Sequence, residues 1–484
     1  MSSLHSLLRS LCLLFLLLQF TNADRKQPNI ILILTDDQDQ KLQSLDYMPL
    51  LKKYIADQGT TFNKHYCTVS ICCPSRVNLL TGRAAHNTNV TDVIPPFGGY
   101  PKFIAEGLNE NNLPVWLQQA GYNTYYVGKY LNGHTLDNYN KPLAKGFTGS
   151  EFLLDPSTYQ YYNASMSRNG GIPVNYPGQY SNDLVANKAY DFLDDAIAAG
   201  KPFFLGIAPI GPHSEFQFAT LEASAPQYPP RHANLFNTIT VPRTPNFNPS
   251  TPGGTSWIST LPPLTPEALA YGDTFYRARL RSLQSIDEMI ESLTLRLNTK
   301  KLLENTYIIY TSDNGFHISQ HRLPPGKNCG FEEDINIPLL IRGPGVSKGV
   351  STQKVSSHTD IAPTIMSLAL GKNGLDGHGF DGKPISLDIK EEGGSDSVNI
   401  EYWGRALPEG DFAAQLFYGN NTYKAVRIMG EGYSYYYAVW CTNERELYDM
   451  LADPYQLTNL ALPIPSPNPV PSPSSTPRTP SPPS

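Results

Sequence analysis

The sequence predicts an α/β protein built on a large, mostly parallel, doubly wound sheet, followed by a smaller antiparallel C-terminal subdomain. Three observations carry this prediction. Four short runs dense in Ile, Leu and aromatic residues read as strands buried on both faces: Asn29 to Leu34, Phe203 to Ala208, Thr306 to Tyr310 and Pro338 to Ile341. Helical spacing lies between them, clearest from Ala268 to Leu297, where Leu280, Leu283, Ile286, Met289, Ile290 and Leu293 recur. From about Val398 the pattern becomes short Tyr-rich strands separated by turns: Val398 to Trp403, Thr422 to Met429, Tyr433 to Trp440 and Glu446 to Met450.

The chain opens with Arg9 ahead of an apolar run from Leu11 to Phe20 and small residues at Thr21-Asn22-Ala23, the layout of a secretory signal over residues 1–23. That run is too short to span a bilayer, and no other stretch is long enough, so no membrane span is expected. A catalytic domain is expected over 24–395 and the C-terminal subdomain over 396–461. Residues 462–484 are nearly all Pro, Ser and Thr; they cannot bury a core and suit a disordered, O-glycosylated tail. Val241 to Pro266 reads as a long surface loop framing a pocket. Export fits three glycosylation sequons, at Asn89, Asn163 and Asn420. The destination is the exterior, the cell wall, or a vacuolar or lysosome-like compartment. The net charge of −6 offers no basic surface for nucleic acid, so an anionic ligand needs a local cationic pocket.

The chemistry concentrates at strand ends, where doubly wound sheets form their sites. Asp36 and Asp37 follow the first strand, Asp313 and Asn314 a later one, and His213 another. The four oxygen donors suit calcium or magnesium rather than zinc; a helix cap is the simpler role for Asp-Asp alone. Asp39 is left as a solvated or capping acid. Between these lies Cys72-Cys73-Pro74-Ser75-Arg76, then Val77-Asn78-Leu79-Leu80-Thr81-Gly82-Arg83. Pro74 suits a first helical turn and Gly82 a helix stop, so Cys72 should sit at a helix N-terminus. There, with Arg76 one turn on, it can face an anion or act as a nucleophile.

This segment resembles the signature of the type I sulfatases, members of the alkaline phosphatase-like superfamily with an α/β/α sandwich. Asn29 to Gln38 is similar to the family's opening strand, and Tyr310 to His317 and Ile337 to Gly345 are similar to its central block. The resemblance is nearest to fungal arylsulfatases and N-acetylglucosamine-6-sulfatase. It implies that a formylglycine-generating enzyme reads Cys72, Pro74 and Arg76 and oxidises Cys72 to formylglycine. It also implies one divalent cation, usually calcium, on Asp36, Asp37, Asp313, Asn314 and the modified residue 72. Lys129, in Gly128-Lys129-Tyr130-Leu131-Asn132, His213 and Lys327 match family catalytic residues, and Arg76 helps to balance charge. Many members carry His two residues after that first Lys; here Leu131 stands there, and His134 is the substitute base, with an ordinary surface His as the alternative. His317 is expected to contact substrate, and His321 is less constrained.

The implied reaction is hydrolysis of a sulfate monoester, by an aryl sulfatase on a small ester. The hydrated aldehyde attacks sulfur, His213 or Lys327 protonates the leaving oxygen, and the second hydroxyl lets sulfate depart. Three other readings are an N-acetylglucosamine-6-sulfatase-type hydrolase, a phosphatase or phosphodiesterase of the same superfamily, and a non-catalytic secreted binding protein. Cys72 and Asn314 argue against the phosphatase, whose relatives use Ser or Thr and two zinc ions. If Cys72 is converted, Cys67, Cys73, Cys329 and Cys441 remain, an even set that suits up to two disulfides.

Overall fold

The computed structural model describes residues 27–391, 394–412 and 418–461. The expected signal segment and the Pro/Ser/Thr tail lie outside the described residues. Twelve strands precede the C-terminal part: β1 (Asn29–Thr35), β2 (Thr60–Tyr66), β3 (Asn123–Gly128), β4 (Gly149–Leu153), β5 (Asn163–Arg168), β6 (Val174–Pro177), β7 (Phe203–Ala208), β8 (Glu215–Gln217), β9 (Glu222–Ser224), β10 (Thr306–Ser312), β11 (Leu339–Arg342) and β12 (Val350–Ser357). Ten of them form one sheet in the order β12-β2-β11-β10-β1-β7-β3-β4-β5-β6, while β8 and β9 pair separately. The four runs picked out as buried strands are β1, β7, β10 and β11. β1 lies parallel between β10 and β7, and β7 lies parallel to β3; β11 runs antiparallel to its neighbours.

The continuous hydrophobicity of β1 has a direct cause. Ile30, Leu32 and Leu34 enter one core, with Val77, Leu79 and Ile361, while Ile31 and Ile33 enter the other, with Ile286, Met289 and Leu293. Helices cover both faces. The second core is closed by a long helix over Pro266–Thr299, where the sequence places one from Ala268 to Leu297, and by a helix over Ser181–Ala199. The first core receives helix α1, Cys72–Thr81, every residue of which is buried. It stops at Gly82, whose φ of 66° lies in the left-handed region open to glycine.

Four C-terminal strands, β13 (Ser397–Tyr402), β14 (Tyr423–Gly430), β15 (Tyr433–Trp440) and β16 (Arg445–Asp449), form an antiparallel meander. Its alternating inner residues, among them Ile400, Tyr423, Tyr436 and Trp440, share one core with Tyr66, Val69 and Ile71, just ahead of α1. A buried ion pair, Arg427 Nε to Glu332 at 2.7 Å, ties the same two parts together.

The disulfide expectation is corrected. Cys67, Cys72, Cys73, Cys329 and Cys441 are all free, and only Cys441 is exposed. Each remaining thiol has its own surroundings: Cys67 donates to Asp334 O at 3.4 Å, Cys73 packs in the first core, Cys329 packs with Leu323 and Phe331, and Cys441 donates to Asn420 O. Among the described residues no helix is long and apolar enough to cross a membrane.

Candidate active site

Register sets the site. β1 and β10 pair residue for residue from Asn29↔Thr306 to Thr35↔Ser312, so Asp36 and Asp313 leave the sheet side by side. β7 and β3 deliver His213 and Lys129 from the other side of β1. Helix α1 is fixed to this edge by Ser75 and Arg76. Ser75 Oγ donates to Asp313 O at 2.6 Å and accepts from His358 Nδ1 at 2.8 Å. Arg76 donates from Nε to Asp313 Oδ2 at 2.8 Å, from Nη2 to Asp36 Oδ2 at 3.2 Å and from Nη1 to Lys129 O at 2.7 Å. Arg76 is therefore committed to the protein's own acids and carbonyl, a structural role beyond the charge balancing expected from sequence.

Cys72 Sγ lies 3.6 Å from Asp36 Oδ1, at the first position of α1. Lys129 Nζ reaches Asp36 Oδ2 at 2.6 Å, and Lys327 Nζ reaches Asp37 Oδ2 at 2.5 Å. His213 Nε2 stands 3.5 Å from the same Asp37 oxygen, with Nδ1 donating to Ser214 O at 2.7 Å. Burial would raise the Asp36 carboxyl, but Lys129 and Arg76 outweigh it and hold it below the ordinary range. Burial pushes the Cys72 thiol well up despite Lys129 and Lys327. As encoded, Cys72 is thus a protonated thiol and a poor nucleophile.

Asp36, Asp37, Cys72 and His213 bring ligand atoms within 4.8 Å of one another. Asp313 turns Oδ1 to the backbone N–H groups of Asp37, at 3.0 Å, and Asn314, at 2.9 Å. Asn314 Nδ2 donates to Asp37 Oδ1 at 2.7 Å, and its Oδ1 is buried with no hydrogen-bond partner. An orphaned amide oxygen beside clustered carboxylates fits a hard divalent cation.

His317 is close by. Its Nδ1 donates to Asp334 at 2.8 Å, and its ring lines a pocket with Lys327, Trp257, Leu323, Leu407 and Pro408. Trp257 comes from the loop expected to frame a pocket, held by Arg322 bonds to the carbonyls of Pro249, Ser250 and Leu261.

Three expectations change. His134 is not brought to this cluster: its Nε2 faces Tyr139 O at 3.4 Å, and its ring lies on Tyr100 at 4.2 Å beside Phe152. Burial lowers its pKa to about 4, so it is a neutral member of an aromatic core, neither a surface His nor a neighbour of Cys72. His321 is fully buried and stacks on Phe331 at 3.6 Å. Asp39 is buried rather than solvated, accepting from Ser44 N at 3.1 Å and pairing with Arg279 at 3.1 Å. The acceptor residues Asn89, Asn163 and Asn420 are all exposed.

Two site residues escaped the sequence reading. Tyr159 forms a wall, with Lys129 Nζ 4.6 Å over its ring and His213 stacked on it at 4.2 Å. Glu409 reaches in from the loop after β13, pairing with Lys327 at 3.0 Å and accepting from Ser214 Oγ. Neither stands in a motif, so no local signal marks them.

A family model described as Sulfatase matches residues 28–372. The chain is 39% identical over 490 residues to an arylsulfatase of Volvox carteri, covering 94% of this chain and 75% of that one. It is 33% identical over 476 residues to the N-acetylglucosamine-6-sulfatase of Homo sapiens, covering 91% and 82%. Among solved structures, one of a protein in complex with its substrate D-glucosamine-2-N,6-O-disulfate superposes with a TM-score of 0.70 at 22% identity, covering 90% of this chain and 93% of that one. The chain therefore belongs to the sulfatase family, with its alkaline phosphatase-like fold, and is a sulfuric ester hydrolase.

Proposed function

We propose that this hydrolase is an exported arylsulfatase that cleaves small sulfate monoesters to a phenol or alcohol and inorganic sulfate. In this reading Cys72 is converted to formylglycine, and one divalent cation, calcium or magnesium, is held by Asp36, Asp37, Asp313, Asn314 and the modified side chain. The observation that carries it is Cys72, an unreactive buried thiol, set against Asp36 while the Asn314 oxygen beside it lacks a partner. When present, the aldehyde hydrate at position 72 would supply a hydroxyl nucleophile and a route for sulfate to leave, and a cation held by these residues would supply Lewis-acid polarisation.

The chain's own residues do the rest. Lys129, paired with Asp36, and Lys327, paired with Asp37, meet the negative charge spread over the sulfate oxygens. Arg76 holds the acids and the Lys129 carbonyl in place. Lys327 and His213 are the groups able to give a proton to the leaving oxygen; the Nδ1 bond to Ser214 O fixes the His213 ring with Nε2 turned inward. The pocket wall of Trp257, Leu323, Leu407 and Pro408 favours an aromatic leaving group. Exposed sequons at Asn89, Asn163 and Asn420 support passage through the secretory route. We place the boundary between catalytic domain and C-terminal subdomain at residues 395 and 396, ahead of β13.

The test joins mass spectrometry to turnover. The peptide carrying Cys72, from protein made in its own secretory host, should show an aldehyde in place of the thiol. The same protein should release sulfate from 4-nitrophenyl sulfate. An intact thiol in active enzyme would overturn the mechanism; turnover of N-acetylglucosamine 6-sulfate but not of the aryl ester would move the assignment to a sugar sulfatase.

A further inference from the structure

Glu409 is a carboxylate in an anion-binding cluster, which needs a reason. It arrives from the C-terminal part, its backbone N–H fixed to Pro325 O at 2.7 Å, and its oxygens go to Lys327 and Ser214. It thus stands against Lys327 and the residue that follows His213. Burial would raise its pKa, but Lys327 and His213 bring it down to about 2, so it is ionised at any working pH.

The charges around Cys72 can be counted. With His213 counted as neutral, Arg76, Lys129 and Lys327 are cations; Asp36, Asp37 and Asp313 are anions and cancel them. Glu409 takes the protein's own total to −1. A divalent cation on the acids would bring the site to +1, the counterpart of a sulfate monoester, which carries one negative charge. Without Glu409 the same site would stand at +2, the counterpart of a phosphate monoester, which is close to doubly charged above pH ~7.

We propose that Glu409 is a specificity-determining residue that sets the ester pocket to accept a singly charged sulfate monoester over a doubly charged phosphate monoester. The inference rests on the reading of the Cys72 cluster as an ester site. Its physical basis does not depend on the identity of the cation: removing one fixed negative charge favours the more negative of two similar ligands. For an added charge about 7 Å from Glu409, at an effective dielectric of about 20, the change in preference is on the order of tenfold after screening.

The full chain carrying Cys72→Ala cannot turn an ester over, so binding can be measured directly. Dissociation constants for 4-nitrophenyl sulfate and 4-nitrophenyl phosphate are determined at pH 8, with and without added calcium. They are compared between this protein and its Glu409→Gln and Glu409→Ala derivatives. Gln keeps the shape and the hydrogen bond from Ser214; Ala provides a second neutral variant if Gln misfolds, and Glu409→Asp controls for shape with the charge kept. Both neutral variants should raise the preference for phosphate over sulfate at least threefold, near tenfold at low salt, and Asp should leave it at the parent value. A smaller change, a shift toward sulfate, or an equal loss of both ligands overturns the proposal, the last because it marks Glu409 as a mere support for Lys327. Turnover of 4-nitrophenyl sulfate by wild-type protein tests the ester-site reading separately. Failure there, with the binding ratio still shifted, sinks the arylsulfatase assignment and leaves Glu409 as a charge selector; absence of binding by every variant sinks both.

Discussion

Arg76→Met separates two roles that the sequence alone merges. If Arg76 meets the substrate, its loss should harm turnover and leave folding nearly untouched. The geometry gives the other answer. All three of its donor nitrogens are taken up inside the protein, by Asp313, Asp36 and Lys129 O, and Arg76 is about 1% exposed. Removing one member of a buried charge cluster typically costs about 3–5 kcal/mol, because the remaining carboxylates lose their counter-ion. The Lys129 carbonyl adds little to that cost, since it keeps the Tyr126 hydroxyl at 3.0 Å. At about 2 cal/mol/K of unfolding entropy per residue, a chain of this length loses roughly 1 °C for each kcal/mol, so the melting temperature should fall by about 3–5 °C. The pH dependence has a fixed sign. Asp36 is held below its ordinary value, so the stability tied to its charge is present above pH ~4 and lost as pH falls below that. The deficit should therefore be the same at pH 5 and pH 8. Scanning fluorimetry on matched samples, followed by 4-nitrophenyl sulfate turnover, measures both effects. Melting within 1 °C of wild type, with turnover down a hundredfold or more, would refute the structural role and return Arg76 to the substrate.

Two further predictions address residues on either side of this question. His134→Phe should retain turnover within about threefold and cost no more than ~1–2 kcal/mol, because the ring sits among Tyr100, Tyr130 and Phe152; a hundredfold loss of kcat in steady-state assays would restore it as a base. Glu446, buried in the C-terminal sheet and accepting from Trp440 Nε1 and Tyr448 Oη, has its pKa raised by burial to about 7. A raised carboxyl pKa gives stability below the unfolded value, near 4.5, that is lost as pH rises toward 7. Glu446→Gln should then melt higher than wild type at pH 8, by as much as ~3 kcal/mol, and show no gain at pH 4; equal melting curves at pH 8 would reject the assignment.

How much of this could be read in advance follows from where each signal is stored. Strands β1, β7 and β10 are buried on both faces, so their hydrophobicity is continuous, and the acids that follow them are visible as breaks in it. The C-terminal meander was legible for the opposite reason: one face is buried and one is not, which leaves a two-residue alternation. Edge strands such as β12 and the partly exposed β2 mix polar and apolar residues without a clean period, and the sequence reading passed over them. The grouping of Asp36, Asp37, Cys72 and His213 was legible because residues that follow neighbouring strands of such a sheet come together beyond its edge. The second layer was not. Ser75 meets His358 across 283 positions, and Arg279 meets Asp39 across 240, and nothing local announces either pair. His134 misled for a related reason: its closeness in sequence to Lys129 says nothing of direction, and after the turn at Gly133 the chain carries its ring into the aromatic core instead of toward Cys72. Glu409 is the extreme case, a single acid in an irregular loop. Its function depends on where the C-terminal sheet docks, and that docking is set by a hydrophobic core shared with the residues just before Cys72. The part of the chain that resembles a support for the catalytic block therefore helps to set the charge of the site, and disturbing that shared core should alter ester preference as well as stability.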